Sequence, residues 1–408
     1  MVSISDARGT ISTAIDNDDG GLRALNLDIH SHPETAYEER HAHDAICAFL
    51  EARGFTVKRH TYGLETSFEA TVGQGGRLVV FCAEYDALPG IGHGCGHNLI
   101  ATSSIAAFVG LATAVVKAGV AGRVRLLGTP AEEGGGGKAK LIDAGAFDDD
   151  IVGAIMAHPA SQHMFQPGFQ GIAGFRTIAS HKLRVEYHGR GAHAGGEPWK
   201  GLNALDAAVA AYNGISMLRQ HIKPDERIHG VIEKGGEVPN VIPHYTRMNW
   251  YVRSPTVASG DLLLARVKAC LEAAATTAGC TMNYIFAPTY EDLLIVDSLC
   301  AAYSDEMAAL GRSVQVKQIE AGTISTDMGN VSHKIPSFHG VFGIPCDKDV
   351  PGHDVRFAAA AEKGQAHTEC VLSGKAMAML GWKLLTDDAF AAAVRRDFEE
   401  ALEKAAEG

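Results

Sequence analysis

The run RLVVFCAEY, residues 77–85, constrains the fold more than any other stretch of this chain. It is apolar almost throughout and of strand length, so both its faces need cover, as in a parallel sheet held between helices. A glycine-rich loop, GIGHGCGHN (90–98), and a long, mostly apolar helix, LIATSSIAAFVGLATAVVKAG (99–119), follow at once. The pattern then recurs: VRLLGTP (124–130) reads as a strand, AEEGGGG (131–137) as a loop, KAKLIDAGAF as a short helix and IVGAIMAH (151–158) as a further strand. Strand–loop–helix repeated in this way predicts an α/β domain, a largely parallel sheet flanked by helices. In such sheets the ligand site lies on the loops leaving the carboxyl ends of the strands. The polar clusters of this part of the chain sit on those loops.

Upstream, LRALNLDIHSHPETAYEERHAHDAICAFLEARGFTV reads as two helical stretches broken near His32-Pro33, because the residue before a proline is pushed out of helical conformation. Near residue 178 the grammar changes. HKLRVEYHGRGAH alternates as a half-buried strand does, LNALDAAVAAYNGISMLRQ is helical, RIHGVIEKG and YTRMNWYVRS are strands, DLLLARVKACLEAAATTAG is a second helix and TMNYIFA a closing strand. The order β-α-β-β-α-β is that of a split βαβ, ferredoxin-like α+β unit. The chain then returns with a helix over about 296–310, a strand near Val314–Ile319 and a long helix from about Glu369. The expected organisation is a domain made of 1–177 and 296–408 with an inserted domain over 178–295.

Charge and cysteine content narrow the function classes. The 408 residues carry 36 Lys+Arg against 48 Asp+Glu, a formal charge of −12, so there is no basic field to attract a phosphate backbone, and no nucleic-acid partner is expected. No charge-free apolar stretch of about 18 residues stands out, which predicts no membrane span. The opening MVSISDARGTISTAIDNDDGG lacks the layout of a secretory leader. Eight cysteines, at 47, 82, 95, 270, 280, 300, 346 and 370, form no CxxC pair and suit reduced thiols, so a cytoplasmic location is expected.

Four loop positions carry ligand chemistry. Cys95 and His97 lie two apart on the glycine-rich loop, where glycines permit the turns that aim both at one point. Glu132 and Glu133 are adjacent at a strand terminus; neighbouring side chains leave an extended backbone in different directions, so one can bind a metal while the other holds a water. His158 ends an apolar strand, and His367 precedes the last long helix. Read one by one, these are equally a buried thiol, a solvated turn, a polar strand tip and a pre-helix residue. Their joint placement on loops of one sheet favours a shared centre. A Cys95 nucleophile with a histidine base is the competing chemistry.

Six segments in order, EYDALPGIGHGCGHN, GTPAEEGGGGK, MAHP, GRGAHAGG, VPNVIP and STDMGNVS, together resemble family 20 of the metallopeptidases. The likeness is to its amidohydrolase branch, with the aminoacylase-1-like dipeptidases and aminobenzoyl-glutamate hydrolases, and it runs over roughly residues 20–385. The resemblance implies a catalytic α/β domain binding two divalent metal ions and an inserted lid domain through which a homodimer forms. Carried over motif by motif, it puts the metal ligands on Cys95, His97, Glu133, His158 and His367, with Cys95 implied as a bridge. His353, in Pro351-Gly352-His353-Asp354, is the nearby competitor for the last of these, and His367 is preferred. Glu132 matches the family's general base, and His193 in GRGAHAGG the lid histidine that stabilises the oxyanion. Asn240 in VPNVIP matches a residue near the substrate, and Arg253 is a candidate partner for a substrate carboxylate. A thiol, imidazole and carboxylate donor set suits Zn²⁺ first, with Mn²⁺ or Co²⁺ able to substitute. The expected activity is metal-dependent hydrolysis of an N-acyl amino acid or short dipeptide; an amide-forming or non-catalytic member of the same fold is the alternative.

Overall fold

The computed structural model describes residues 3–318 and 322–407, so Ile319, where one predicted strand ends, and the terminal residues Met1, Val2 and Gly408 lie outside the described residues. Three helices open the chain: α1 (Ile4–Asn17), α2 (Asp19–Ser31) and α3 (Arg40–Glu51). The sequence reading gave α1 no structure. It is nonetheless a sound helix: the Ser3 hydroxyl accepts the Asp6 N–H at its start, and Ala7, Ile11 and Ile15, four residues apart, form one buried stripe.

Next come β1 (Val57–Arg59), β2 (Phe68–Gln74), β3 (Arg77–Ala83), α4 (His97–Ala118), β4 (Gly122–Gly128), α5 (Gly137–Asp143), β5 (Ile151–Ser161) and β6 (Gly171–Gly174). The later part of the same unit contains α8 (Asp297–Ala309), β11 (Gln315–Lys317), α9 (Met328–Lys334), β12 (Ser337–Ile344), α10 (Val355–Ala361), α11 (Gly364–Thr386) and α12 (Asp388–Glu407). Their strands form one sheet in the order β1-β2-β4-β3-β5-β12-β6-β11. The four central strands, β4-β3-β5-β12, are all mutually parallel, while β1, β2 and the β12–β6 pairing add antiparallel edges. All four central strands therefore release their carboxyl ends at one edge.

Helix α4 is buried along nearly its whole length against this sheet and α11. It is long and apolar enough to cross a bilayer, which corrects the sequence expectation that no such segment exists, but most of it is covered by protein. Each fully buried Leu, Ile or Phe of such a helix contributes roughly 1.5–3 kcal/mol, so packing against the sheet fixes its place.

By contacts the chain divides into two units. One runs to Arg176 and resumes over Leu293–Gly322 and Asp327–Glu407; the other comprises Thr177–Asp292 and Thr323–Thr326. The second unit contains β7 (Ala179–His188), α6 (Ala204–Leu218), β8 (Arg227–Lys234), β9 (Tyr245–Ser254), α7 (Val257–Ala278) and β10 (Thr281–Phe286). Its sheet order is β10-β7-β9-β8 and every pairing is antiparallel, the split βαβ arrangement expected from the sequence. Alternation along β9 buries Thr246, Met248, Trp250, Val252 and Ser254 on one face. Leu263, Val267 and Leu271 of α7 join the same core.

Candidate active site

The carboxyl edge of the central strands gathers the ligand-type side chains. Beyond β3 the chain passes Glu84 and Asp86, then the glycine loop, and enters α4 at His97. Gly96 immediately before it has φ +81°, and a Cβ there would lie 2.5 Å from Pro159 Cγ, so no other residue fits the approach of this loop to β5. Cys95 Sγ comes to rest 3.3 Å from His158 Nε2. His158 hydrogen-bonds the Pro159 carbonyl through Nδ1 at 2.7 Å, which places its proton on Nδ1 and turns the Nε2 lone pair toward the thiol.

His97 is completely buried. Its Nδ1 bonds Asp86 Oδ1 at 3.0 Å, while its Nε2 faces Glu84 Oε2 at 3.6 Å, Glu133 Oε1 at 3.9 Å and Glu132 Oε2 at 4.0 Å. The other Asp86 oxygen accepts the backbone N–H of Glu133 at 2.8 Å. One buried carboxylate therefore orients two donors at once. Glu84 and Asp327 share the fully buried ammonium of Lys138, whose distance to Asp327 Oδ1 is 2.6 Å.

Of the five predicted ligands, the structure brings together Cys95, His97, Glu133 and His158. Three donor groups, each with atoms within 4.8 Å of one another, overlap here: Cys95–His97–His158, Cys95–Glu133–His353 and Glu84–His97–Glu132. The fifth expectation is corrected. His367 lies in the first turn of α11, where Nδ1 meets Asn26 Nδ2 at 3.3 Å and Nε2 meets Asp19 Oδ1 at 3.2 Å; both ring nitrogens are engaged with α2 and its start. His353 lies beside the cluster instead. Its Nε2 is 3.3 Å from Glu133 Oε1, its N–H donates to the Gly94 carbonyl at 2.9 Å, and its backbone is left-handed at φ +62°. Strain of this kind collects at functional sites. The reason for the exchange is topological: His353 is on the loop leaving β12, whereas His367 lies beyond a further helix.

Charge balance at the site follows from burial. Burial lifts the Cys95 thiol far above its ordinary range, and lowers His158 to about 4 with help from neighbouring His97. Burial alone would lower His97 and raise Glu133; instead Cys95 and Asp86 hold His97 well above the usual histidine range, and His353 and His97 hold Glu133 down to about 2. Glu132 is pushed upward, first by burial and then by Glu84 and Glu133. His97 Nε2 and Glu84 Oε2 are buried and make no hydrogen bond, although they face each other at 3.6 Å. Converging buried side chains of mixed S, N and O character, with orphaned polar atoms among them, fit divalent cations.

Asp28, His32 and His41 form another close His/carboxylate group, but their two imidazoles stack face to face with ring centres 4.0 Å apart, so the lone pairs do not meet at a point. In the second unit, His193 is exposed, and its Nδ1 accepts the N–H groups of Gly195 at 3.2 Å and Gly196 at 2.9 Å. That leaves its proton on Nε2. Asn240 is held beside it, its carbonyl accepting the Ala194 N–H at 3.0 Å, and Arg253 of β9 donates to the Thr323 carbonyl at 3.1 Å. Glu39, Glu84 and Lys138 are not among the residues expected from the sequence; only Glu84, a charge at the end of the apolar run RLVVFCAEY, carried a local signal.

Comparison with known proteins agrees with this arrangement. The model of peptidase family M20/M25/M40 matches residues 80–370. The chain belongs to that family. A mouse (Mus musculus) Xaa-Arg dipeptidase is 38% identical over 395 residues, covering 93% of this chain and 89% of the relative. A polypeptide of the p-aminobenzoyl-glutamate hydrolase of Escherichia coli K12 is 30% identical, covering 82% of this chain and 73% of its own length. Among solved structures, a dinuclear metal-binding peptidase of the M20 family from Bacillus subtilis superposes with a TM-score of 0.64 at 20% identity, over 91% of this chain and 99% of the other. An aminobenzoyl-glutamate utilization protein from Klebsiella pneumoniae gives 0.69 at 19% identity, over 90% and 98%. The family and fold expected from the sequence motifs are thus borne out, and this M20-family chain is a hydrolase of amide bonds.

Proposed function

We propose that this M20-family chain is a metal-dependent dipeptidase, in which Cys95, His97, Glu133, His158 and His353 hold two divalent cations, zinc before manganese or cobalt. The observation that carries the reading is the overlap of two donor groups on Cys95, next to a buried Glu132. Cys95, a member of two donor groups, would bind as a thiolate, since coordination removes the proton that burial otherwise keeps on it. The chemistry a bound cation pair supplies is polarisation of the scissile carbonyl and acidification of a water.

The rest falls to the chain's own side chains. Glu132, whose environment raises its proton affinity, accepts the proton of the attacking water and delivers it to the leaving amine nitrogen. The Nε2–H of His193, from this chain or a second copy, donates to the carbonyl oxygen as negative charge develops there. Asn240 and Arg253 bind the remainder of the substrate, the Arg253 guanidinium donating to the substrate carboxylate. The Xaa-Arg dipeptidase relative supports a dipeptide with a basic carboxyl-terminal residue, ahead of an aminobenzoyl-glutamate type of amide. A homodimer through the second unit is supported by edge strand β8, which exposes Val231 and Ile232. Eight free cysteines support a reducing, cytoplasmic setting.

The Cys95–His158 contact also suits a thiol nucleophile with an imidazole base, so the test must separate the two. Hydrolysis of a panel of dipeptides, acyl-amino acids and aminobenzoyl-glutamate is measured before and after chelation and metal restoration. The metalloenzyme loses activity on chelation and regains it with zinc, manganese or cobalt, and Glu132→Gln lowers kcat by about 10²–10⁴-fold. Activity that survives complete metal removal overturns the reading in favour of the thiol.

A further inference from the structure

The two adjacent glutamates, Glu132 and Glu133, lie on the loop after β4, which carboxylates from distant parts of the chain anchor. Glu133 has its N–H bound by Asp86. Just before the pair, the N–H of Ala131 donates to Glu39 Oε1 at 2.9 Å, across 92 positions of sequence. Ala131 is fully buried and left-handed, at φ +60°, a conformation a Cβ-bearing residue disfavours. The loop around it has no slack. Ala131 O accepts the Gly137 N–H at 3.3 Å, and a Cβ on Gly137 would sit 1.7 Å from the Pro130 carbonyl oxygen. The Tyr37 hydroxyl clamps the far side by donating to the Gly135 carbonyl at 2.6 Å.

Glu39 is itself held rigidly. It is completely buried, and its second oxygen accepts the Thr66 hydroxyl at 2.9 Å. A carboxylate this deep is costly unless both oxygens are used, and here one of them is spent on the residue immediately before Glu132.

We propose that Glu39 is a positioning residue for the reaction: by capturing the Ala131 N–H it holds that residue in its left-handed state and so sets the direction in which Glu132 leaves the backbone. The inference rests on Glu132 being the base. Glu39 belongs to none of the donor groups, and its hydrogen-bonded route to Glu132 runs through Ala131. Without the anchor, Ala131 relaxes to a commoner conformation and Glu132 turns away from the attacking water, while the ligands, held by Asp86 and the Pro159 carbonyl, stay in place.

A glycine at 131 adopts the left-handed state without strain, which provides the test. Four proteins, wild type, Glu39→Ala, Ala131→Gly and the double variant, are compared for kcat, KM and bound metal on the dipeptide that the wild type hydrolyses best. Glu39→Ala is expected to lower kcat about 10–100-fold with KM and metal content unchanged, Ala131→Gly alone to stay within about twofold, and the double variant to recover kcat to within about threefold of wild type. A double variant no faster than Glu39→Ala, or a Glu39→Ala protein with wild-type kcat, overturns the proposal. If Glu39→Ala does not fold, Thr66→Val replaces it: a smaller loss of kcat, again restored by Ala131→Gly, supports the assignment, and no restoration overturns it. Glu132→Gln is run alongside, because wild-type activity in that variant would mean that the base assignment, and not the anchoring of Ala131, had failed.

Discussion

The strand-end cluster and the His193 loop both orient their imidazoles, by opposite means. In the cluster most orienting partners are distant in sequence: Asp86 for His97 and for the Glu133 N–H, Glu39 for Ala131, Gly94 for His353; only His158 is turned by its neighbour, the Pro159 carbonyl. His193 is exposed and oriented by Gly195 and Gly196, two and three residues away. The cluster is a product of the whole sheet and comes with buried, electrostatically strong groups. The His193 motif is local and needs only its own loop. Variants in the two regions should therefore fail in different ways.

The largest effect expected from such variants sharpens this contrast. His193→Ala should lower kcat by about 10²–10³-fold while both metal equivalents, counted by elemental analysis, remain bound. Loss of metal together with activity would break the separation between the regions. Next in size is the pair His353→Ala and His367→Ala. The first should weaken metal binding at least about 10–100-fold in competition with a chromophoric chelator. The second should keep its metal and lose stability by about 1–3 kcal/mol in urea, since it leaves Asn26 and its partners unsatisfied. The opposite pattern would return His367 to the site.

The smallest effect concerns pH. Burial, with the charge of Asp86, raises Glu39 from 4.5 to about 7. The folded state then holds a proton that the unfolded chain has released, so this group's contribution to stability falls as pH rises through that window and the cost is complete above it. Glu39→Gln removes the cost. Relative to wild type it should be more stable at pH 8 than at pH 5 by about 1–2 kcal/mol, read from urea midpoints. An equal difference at both pH values would place the carboxylate's burial cost elsewhere.

Much of the fold was legible in the sequence because periodicity is local. RLVVFCAEY could only be a covered strand, and the alternation of YTRMNWYVRS matches β9 as found. β12 escaped because SFHGVFGI breaks its apolar run with His339 and two glycines. That omission explains why His367 is preferred to His353 from the sequence. Without β12, His353 has no strand to leave from, and nothing distinguishes it from His367. Helix α1 escaped for a related reason, its three-residue stripe being hidden among polar neighbours. Glu39 carried no local mark at all, since its partner lies 92 residues away.

By itself, then, the sequence indicated most of the elements, the change of pattern near residue 178 and most of the side chains gathered at the strand ends, since each depends on side-chain spacing within a few turns of backbone. Only the tertiary structure decided that His353 and not His367 meets Glu133, that Asp86 serves two donors, and that Glu39 reaches Ala131. Those contacts join residues tens to hundreds of positions apart, and only strand order in the sheet brings them within hydrogen-bonding distance.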